Sequence, residues 1–243
     1  LEDAFFTMQE DIRYREEKIE YQAKYDLITH LYNRYEITNI IREYLKEARV
    51  FDVVSFKIIG FREVNNAFGY DCGDACLESF GERIQKLGGI AARLNGSEII
   101  WLPAKSVDRQ SIDQVRDLLE ESHVLNGLEI KLKLAVAHLS LPKDATTVED
   151  VFRHLSIVTQ KAEEDASFYQ CYQSGMEEEY LKRLSILREL EVTLEKSNEG
   201  LEGCELNMFY QPKLHLPSYK VTKVEALIRW NSSILGFVPP DLF

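Results

Sequence analysis

Residues 91–102 read AARLNGSEIIWL. Asn95-Gly96 between two apolar runs is the strongest short-range hairpin signal, so Ala91–Leu94 and Glu98–Leu102 are read as an antiparallel pair. Upstream, FDVVSFKII (Phe51–Ile59) is rich in β-branched and aromatic residues and bounded by Gly60, the pattern of a buried strand. Arg34–Arg49 is helical in period, with Ile37, Ile40, Ile41, Tyr44 and Leu45 recurring on one side. Asp71–Leu87 repeats that period through Leu77, Phe80, Ile84 and Leu87. Downstream follow a helix (Ser111–Ser122), a strand (Leu128–Leu139) and a helix (Thr147–Glu164). Strand, helix, hairpin, helix, strand, helix is the order of an α+β, ferredoxin-like palm, an antiparallel sheet with helices on one face.

The flanks differ in pattern. Leu1, Phe5, Met8, Ile12 and Ile19 alternate at spacings of four and three, with Arg15 and Gln22 completing a heptad seam that turns polar in its second half. A parallel dimer and an amphipathic helix packed on its own domain read equally well from that seam. Glu177–Lys196 is a second long helix, its stripe formed by Tyr180, Leu184, Leu187, Leu190 and Leu194, with a C-cap signal at Asn198–Gly200. It reads as a connector. Glu205–Gln211 and Lys220–Trp230 follow as two strands joined through Pro217 and Ser218.

With 29 basic and 41 acidic side chains among 243 residues the net charge is -12, which argues against nonspecific attraction to nucleic acid or anionic lipid. The four cysteines and five histidines show no zinc spacing and no HExxH pair, so free thiols are expected. Cys72 and Cys76 share a helix face by their spacing. No apolar run approaches the ~18 residues of a membrane span, and no signal peptide is visible. The chain opens on LEDAFF without Met and stops at PPDLF, so it is read as a piece of a longer protein.

Two sets of motifs carry a resemblance. YDLITHLYN (25–33) with ARLNGSEIIWL (92–102) resembles the DxLTxLxNR opening and RxGGDEF hairpin of diguanylate cyclase (GGDEF) domains. The resemblance implies the nucleotide-cyclase form of the palm. Such cyclases hold Mg²⁺ against a GTP triphosphate with acids on adjacent strands while a 3′-hydroxyl attacks an α-phosphate. The matching positions here are Lys57 and Ile59 in KIIGFR, and Ser97 in NGSEI, with Glu98 retained. An ammonium and a hydroxyl thus stand where metal carboxylates are expected. Lys57 is expected to pair with Glu98 and fill the volume of the ion. Asn95 replaces the first glycine of the motif. NNAFGYDCGDACL resembles NDxxGHxxGDxxL and keeps Asn65 and Asp74, the family's guanine-reading pair. Both read as well, and somewhat better, as a chain turn and a first-turn helix acid. The phosphate-facing lysine of the late helix is Glu163, and the product-inhibition RxxD reads KLGG at Lys86–Gly89. Any GTP contact would rest on Asn65, Asp74 and Glu98.

MFYQPKLHLPSYKVTKVEALIRW (208–230) resembles the start of a cyclic-di-GMP phosphodiesterase (EAL) domain, an α/β barrel. The resemblance implies Glu225 as a ligand of Mg²⁺ or Mn²⁺, Arg229 as a phosphate contact, and Gln211 and Leu227 against the cyclic dinucleotide. The other metal carboxylates and the catalytic base are expected beyond Phe243, so no cofactor is expected in this chain. AFFTMQEDIRYREEKIEYQAKYD resembles the helical exit of a HAMP linker, which implies a homodimer through that helix in the cytoplasmic portion of an inner-membrane sensor.

The organisation expected is a signalling helix (1–24), a degenerate GGDEF domain (25–172), a connector helix (173–200) and the N-terminal part of an EAL domain (201–243). The function expected is a catalytically inactive GGDEF regulatory domain controlling an attached phosphodiesterase that acts on cyclic di-GMP. The alternatives are a non-catalytic cyclic-di-GMP receptor or scaffold and, last, an active cyclase.

Overall fold

Phe51–Ile59 is buried along nearly its whole length, a pattern that only a central strand covered on both faces can satisfy. The computed structural model describes residues 2–125, 128–198 and 205–243, with the side chains of 1–11, 17, 125–128 and 196–204 outside the description. Leu1 and the cap positions Glu199 and Gly200 therefore lie outside the described residues, as do the side chains of the seam positions Phe5 and Met8 and of Asn198. The chain divides into two units, Leu1–Ser174 and Gly175–Phe243.

In the first unit the order is α1 (Glu2–Lys24), α2 (Arg34–Lys46), β1 (Phe51–Ile59), α3 (Phe61–Phe68), α4 (Tyr70–Lys86), β2 (Ile90–Asn95) and β3 (Glu98–Leu102). Then come α5 (Arg109–Leu119), β4 (His123–Leu125), β5 (Leu128–Ile130), β6 (Lys133–Leu141), α6 (Val148–Glu164) and β7 (Tyr169–Cys171). The main sheet runs β2-β3-β1-β6-β7. All its pairs are antiparallel except β6 with β7.

Even positions of β1 (Val54, Phe56, Ile58) pack with Ile99, Trp101, Leu134 and Val136 against Leu77, Phe80 and Ile84 of α4 and Ile112 of α5. Odd positions (Val53, Ser55) are equally buried, with Ala135, Ala137 and Leu139 of β6, where α2 and α6 pack. Helices therefore cover both faces, not one. The alternation of a strand says that two faces exist, but not what covers the second.

Three elements depart from the sequence reading. Phe61–Phe68 is a helix, entered through Gly60 at φ +68, a conformation open to glycine and strained for other residues. The single strand expected over Leu128–Leu139 is split: β5 pairs with β4 as a separate hairpin, and β6 joins the main sheet. The three-residue β7 is too short to carry a period. The helix starts, by contrast, follow local capping rules: Asn33, Asp108 and Thr147 side chains accept from Glu36, Ser111 and Asp150 amides at 3.0, 2.8 and 3.1 Å.

One histidine in this core sets a pH response. His123 is 1% exposed, with Nδ1 2.9 Å from Ser79 Oγ and a buried Nε2 without a hydrogen-bond partner. Burial, aided by the Arg83 charge, holds its pKa below the ordinary histidine value. The unfolded chain then binds the proton more readily than the folded one, so stability is lost as pH falls below about 6.5. Urea midpoints measured from pH 7 to pH 5 should decline in the native chain and decline less in His123→Gln. Equal slopes in both would refute the assignment.

The second unit comprises α7 (Met176–Asn198), β8 (Leu206–His215), β9 (Lys220–Ser232), β10 (Gly236–Val238) and a 3-10 turn (Pro240–Leu242), with sheet order β10-β9-β8. Its core joins Ile186 and Leu190 to Trp230, Val238, Leu206 and Phe243. Leu184, Leu187 and Leu194, read from the sequence as the packing stripe, are 45%, 43% and 47% exposed. The helix has apolar residues on more than one side, and the face carrying Ile186, Leu190 and Thr193 is the one that packs. Along the ribbon, consecutive Met208, Phe209 and Tyr210 are exposed.

Candidate functional site

The hairpin and β1 bring Lys57 directly opposite Glu98 across the sheet. The expected Lys57–Glu98 pair does not form. Lys57 Nζ makes its ion pair with Glu163 of α6 instead. Glu98 is held by other donors: Ser55 Oγ donates to Oε1 at 2.8 Å and Asn95 Nδ2 to Oε2 at 3.2 Å. Lys57 of β1 and Glu163 of α6 thus satisfy each other.

The pair lies in a cavity of about 490 Å³ whose walls are Lys57, Glu98, Ser156, Thr159, Gln160, Glu163 and Glu164. Ser97 sits at the turn, where its carbonyl accepts from Ile58 N at 3.0 Å. The turn itself falls one residue later than the Asn-Gly signal implies. Asn95 pairs with Glu98 inside the ladder, past an irregularity at Arg93–Asn95, and neither Asn95 nor Gly96 has positive φ. Asn-Gly located the hairpin but not its turn type.

These residues do not fit a divalent metal. The β1 position offers an ammonium, Ser97 offers a hydroxyl, and both oxygens of Glu98 already accept hydrogen bonds. Among the described residues no three of His, Cys, Asp and Glu converge on a metal-sized point.

Asn65 and Asp74 lie on α3 and α4 and are not among the cavity's walls. Asn65 Oδ1 is buried without a hydrogen-bond partner against Gly73, where a Cβ would fall 1.9 Å from it. Asp74, the next residue, is exposed. Cys72 and Cys76 share the inner side of α4, and burial with the neighbouring Cys72 pushes the Cys76 thiol up to about 11.

Sequence reasoning assigned no role to the residues that tie α1 to this hairpin. Arg93 Nη1 donates to Asp26 Oδ1 and Oδ2 at 3.2 and 3.3 Å, and its Nε and Nη2 donate to Gly96 O at 3.1 and 2.6 Å. Burial would push the Asp26 carboxyl up, but the Thr29 amide and hydroxyl and Arg93 outweigh it and hold it below the ordinary carboxylate range. Asn33 Nδ2 donates to Ala23 O at 2.9 Å, so one side chain caps α2 and holds the end of α1. Tyr21 stacks on Tyr25 and Tyr25 on Tyr32, at 4.6 and 4.9 Å between centroids. Asp and Asn beside tight turns were the available signal, since both side chains bond locally to backbone.

In the second unit Gln211 stands opposite Glu225, Phe209 opposite Leu227 and Asn207 opposite Arg229. Strand alternation then puts Gln211, Glu225, Leu227 and Arg229 on one face of the ribbon. Glu225 is held by Lys213 Nζ at 2.8 Å, which lowers its pKa, and Arg229 Nη1 donates to Ile228 O at 2.8 Å.

Residues 23–167 match the family described as diguanylate cyclase, GGDEF domain. The cyclic di-GMP phosphodiesterase NbdA of Pseudomonas aeruginosa is 23% identical over 91% of this chain and 29% of its own length. The bifunctional diguanylate cyclase/cyclic di-GMP phosphodiesterase MucR of the same organism is 25% identical over 91% of the chain and 33% of its own length. The chain spans about a third of the length of these curated relatives. Among solved structures, the GGDEF domain of TpbB (YfiN) from P. aeruginosa superposes with TM-score 0.58 at 19% identity, over 65% of this chain and 99% of that one. The coiled coil and GGDEF domain of DgcB from Caulobacter crescentus, in complex with c-di-GMP, superposes with TM-score 0.60 at 13% identity, over 70% and 96%.

Proposed function

We propose, from the premise that this chain belongs to the diguanylate cyclase GGDEF-domain family, that its GGDEF domain is a catalytically silent regulatory module of a cyclic-di-GMP signalling protein. The observation that carries the reading is the Lys57–Glu163 ion pair. A cyclase cleft needs anions where the metal sits and a cation where the phosphates sit. Here both signs are reversed, and the reversed groups neutralise each other. Magnesium-GTP would meet an ammonium at its metal and carboxylates at its triphosphate.

The partner to be regulated is read from the second unit. Gln211, Glu225, Leu227 and Arg229 on one ribbon face support an EAL phosphodiesterase start, completed in a longer protein by further carboxylates that hold Mg²⁺ or Mn²⁺. Helix α1, tied to the hairpin through Asn33, Asp26 and Arg93, supports a route by which a change at the helix reaches the cleft. In this reading α1 pairs with that of a second copy as the exit of a HAMP-type linker, in the cytoplasmic part of an inner-membrane sensor. Among the described residues no helix is long and apolar enough to cross a membrane. The unpaired Oδ1 of Asn65 favours a second reading, in which guanine nucleotide still docks at Asn65 and Asp74 without turnover.

The purified chain with GTP and Mg²⁺ or Mn²⁺ should yield no cyclic dinucleotide by chromatography. Accumulation of product would overturn the proposal. In the longer protein, Glu225→Gln should abolish hydrolysis of cyclic di-GMP. If no hydrolysis is present to abolish, the receptor or scaffold reading takes its place.

A further inference from the structure

Helix α4 carries two free thiols one turn apart, Cys72 half-buried and Cys76 fully buried beneath it. The Cys76 thiol is hydrogen-bonded to Cys72, and burial together with that neighbour pushes it up to about 11. A reagent in solution therefore meets Cys72 first, because a buried, protonated thiol is inert. Once Cys72 has reacted, Cys76 needs no path to solvent, since the sulfur it would attack is already its neighbour.

The backbone permits a bridge. Four residues of helix separate Cα atoms by about 6 Å, inside the ~4.4–6.8 Å span of disulfides. The Cβ atoms, about 5–6 Å apart in a regular helix, must close to about 3.5–4.5 Å, so bridging unwinds the turn between them. That turn is weakly held. It lies at the start of α4, where the N-cap residue Gly69 offers no side chain to the free amides. Gly73, a poor helix former, sits inside the segment to be bridged, and its amide makes a 3.2 Å bond to Gly69 O.

We propose that Cys72 and Cys76 form a reversible disulfide, which makes the start of α4 a redox-modification site. Cys72, as thiolate, attacks one sulfur of a low-molecular-weight disulfide and expels one small thiolate, leaving a mixed disulfide. Cys76 gives up its proton and attacks the Cys72 sulfur from beneath, expelling the second small thiolate. The protein loses two electrons and two protons, and the small disulfide is reduced to two thiols. Unwinding draws Gly73 off its close seat on Asn65, where a Cβ would fall 1.9 Å from Oδ1, so oxidation loosens α3 from α4. This chemistry is independent of the charges at Lys57 and Glu163.

The test uses the whole chain with Cys171→Ser and Cys204→Ser, which leaves only this pair. Incubated under native conditions with oxidised glutathione and quenched with acid, it should lose two hydrogens in mass and retain no glutathione. Peptide mapping should link Cys72 to Cys76, the far-UV helix signal should fall, and dithiothreitol should restore both. Cys76→Ser should stop at a stable glutathione adduct on Cys72. Cys72→Ser should lose its remaining thiol at least about tenfold more slowly than the parent. Circular dichroism melts establish that each variant is folded, and Cys76→Ala replaces Cys76→Ser where serine does not fold. A stable Cys72 adduct in the parent, with Cys76 still reduced, overturns the proposal. So do disulfide-linked dimers in place of the internal bridge, or a Cys72→Ser variant that reacts as fast as the parent. Cyclic product from GTP would instead sink the silent-domain reading, whatever the thiols do, so the two failures remain distinct.

Discussion

Replacing Asp52 by alanine is expected to cost the first unit about 3–5 kcal/mol of stability. Asp52 is 3% exposed at the start of β1 and is the common acceptor of a buried network. Its Oδ1 accepts from Ser140 Oγ at 2.8 Å and lies 3.1 Å from His138 Nε2. Its Oδ2 accepts from Ser106 Oγ at 2.7 Å and Val107 N at 3.0 Å. Burial would push this carboxyl up, but the Ser106, Ser140, Val107 and His138 donors outweigh it and hold it below the ordinary range. Its stabilisation is therefore present above about pH 3.9 and is lost as pH falls through the lower folded value. Alanine strands two hydroxyls, an amide and an imidazole in a dry site. It also frees the loop before α5 from the central strand. Asn should be milder, since it keeps one acceptor oxygen while adding a donor that faces other donors. Urea denaturation of the three proteins measures the order, and a loss under about 1 kcal/mol for Asp52→Ala would refute the network's role.

The second large effect is a gain. The triple variant Lys57→Asp, Ser97→Asp, Glu163→Lys should bind magnesium-GTP at least about 100-fold more tightly than the native chain, close to 2.7 kcal/mol. The change places one carboxylate on β1, one at the hairpin turn and one cation on α6. Single changes should not do this. Lys57→Asp alone sets an added carboxylate beside Glu163, and Glu163→Lys alone sets two ammoniums together. The exchange Lys57→Glu with Glu163→Lys should preserve stability while either half of it does not, the signature of a coupled pair. Calorimetry with and without Mg²⁺ decides the gain. If the triple variant binds no better than the native chain, the role proposed for the Lys57 and Glu163 charges is refuted.

Much of the domain was legible from local pattern because local forces set it. Asn95-Gly96 located the hairpin, β1 announced its burial by composition, and Asn33, Asp108 and Thr147 began helices by satisfying free amides. What escaped was short or conditional. Helix α3 has eight residues and depends on Gly60 at positive φ, and β7 exists only because β6 offers it an edge. The packing face of α7 was misread because leucines on more than one side made two stripes plausible.

For the site, the sequence alone determined which groups are present: an ammonium at 57, a hydroxyl at 97 and an acid at 163. Only the tertiary structure decided which of them meet. Cross-strand proximity favoured Glu98 as the partner of Lys57, but Ser55 and Asn95 hold that carboxylate, and α6 delivers Glu163 from more than a hundred residues away. Ion pairing depends on distance and on which acceptors are already occupied, and a long side chain can choose among neighbours that only the packed fold assembles.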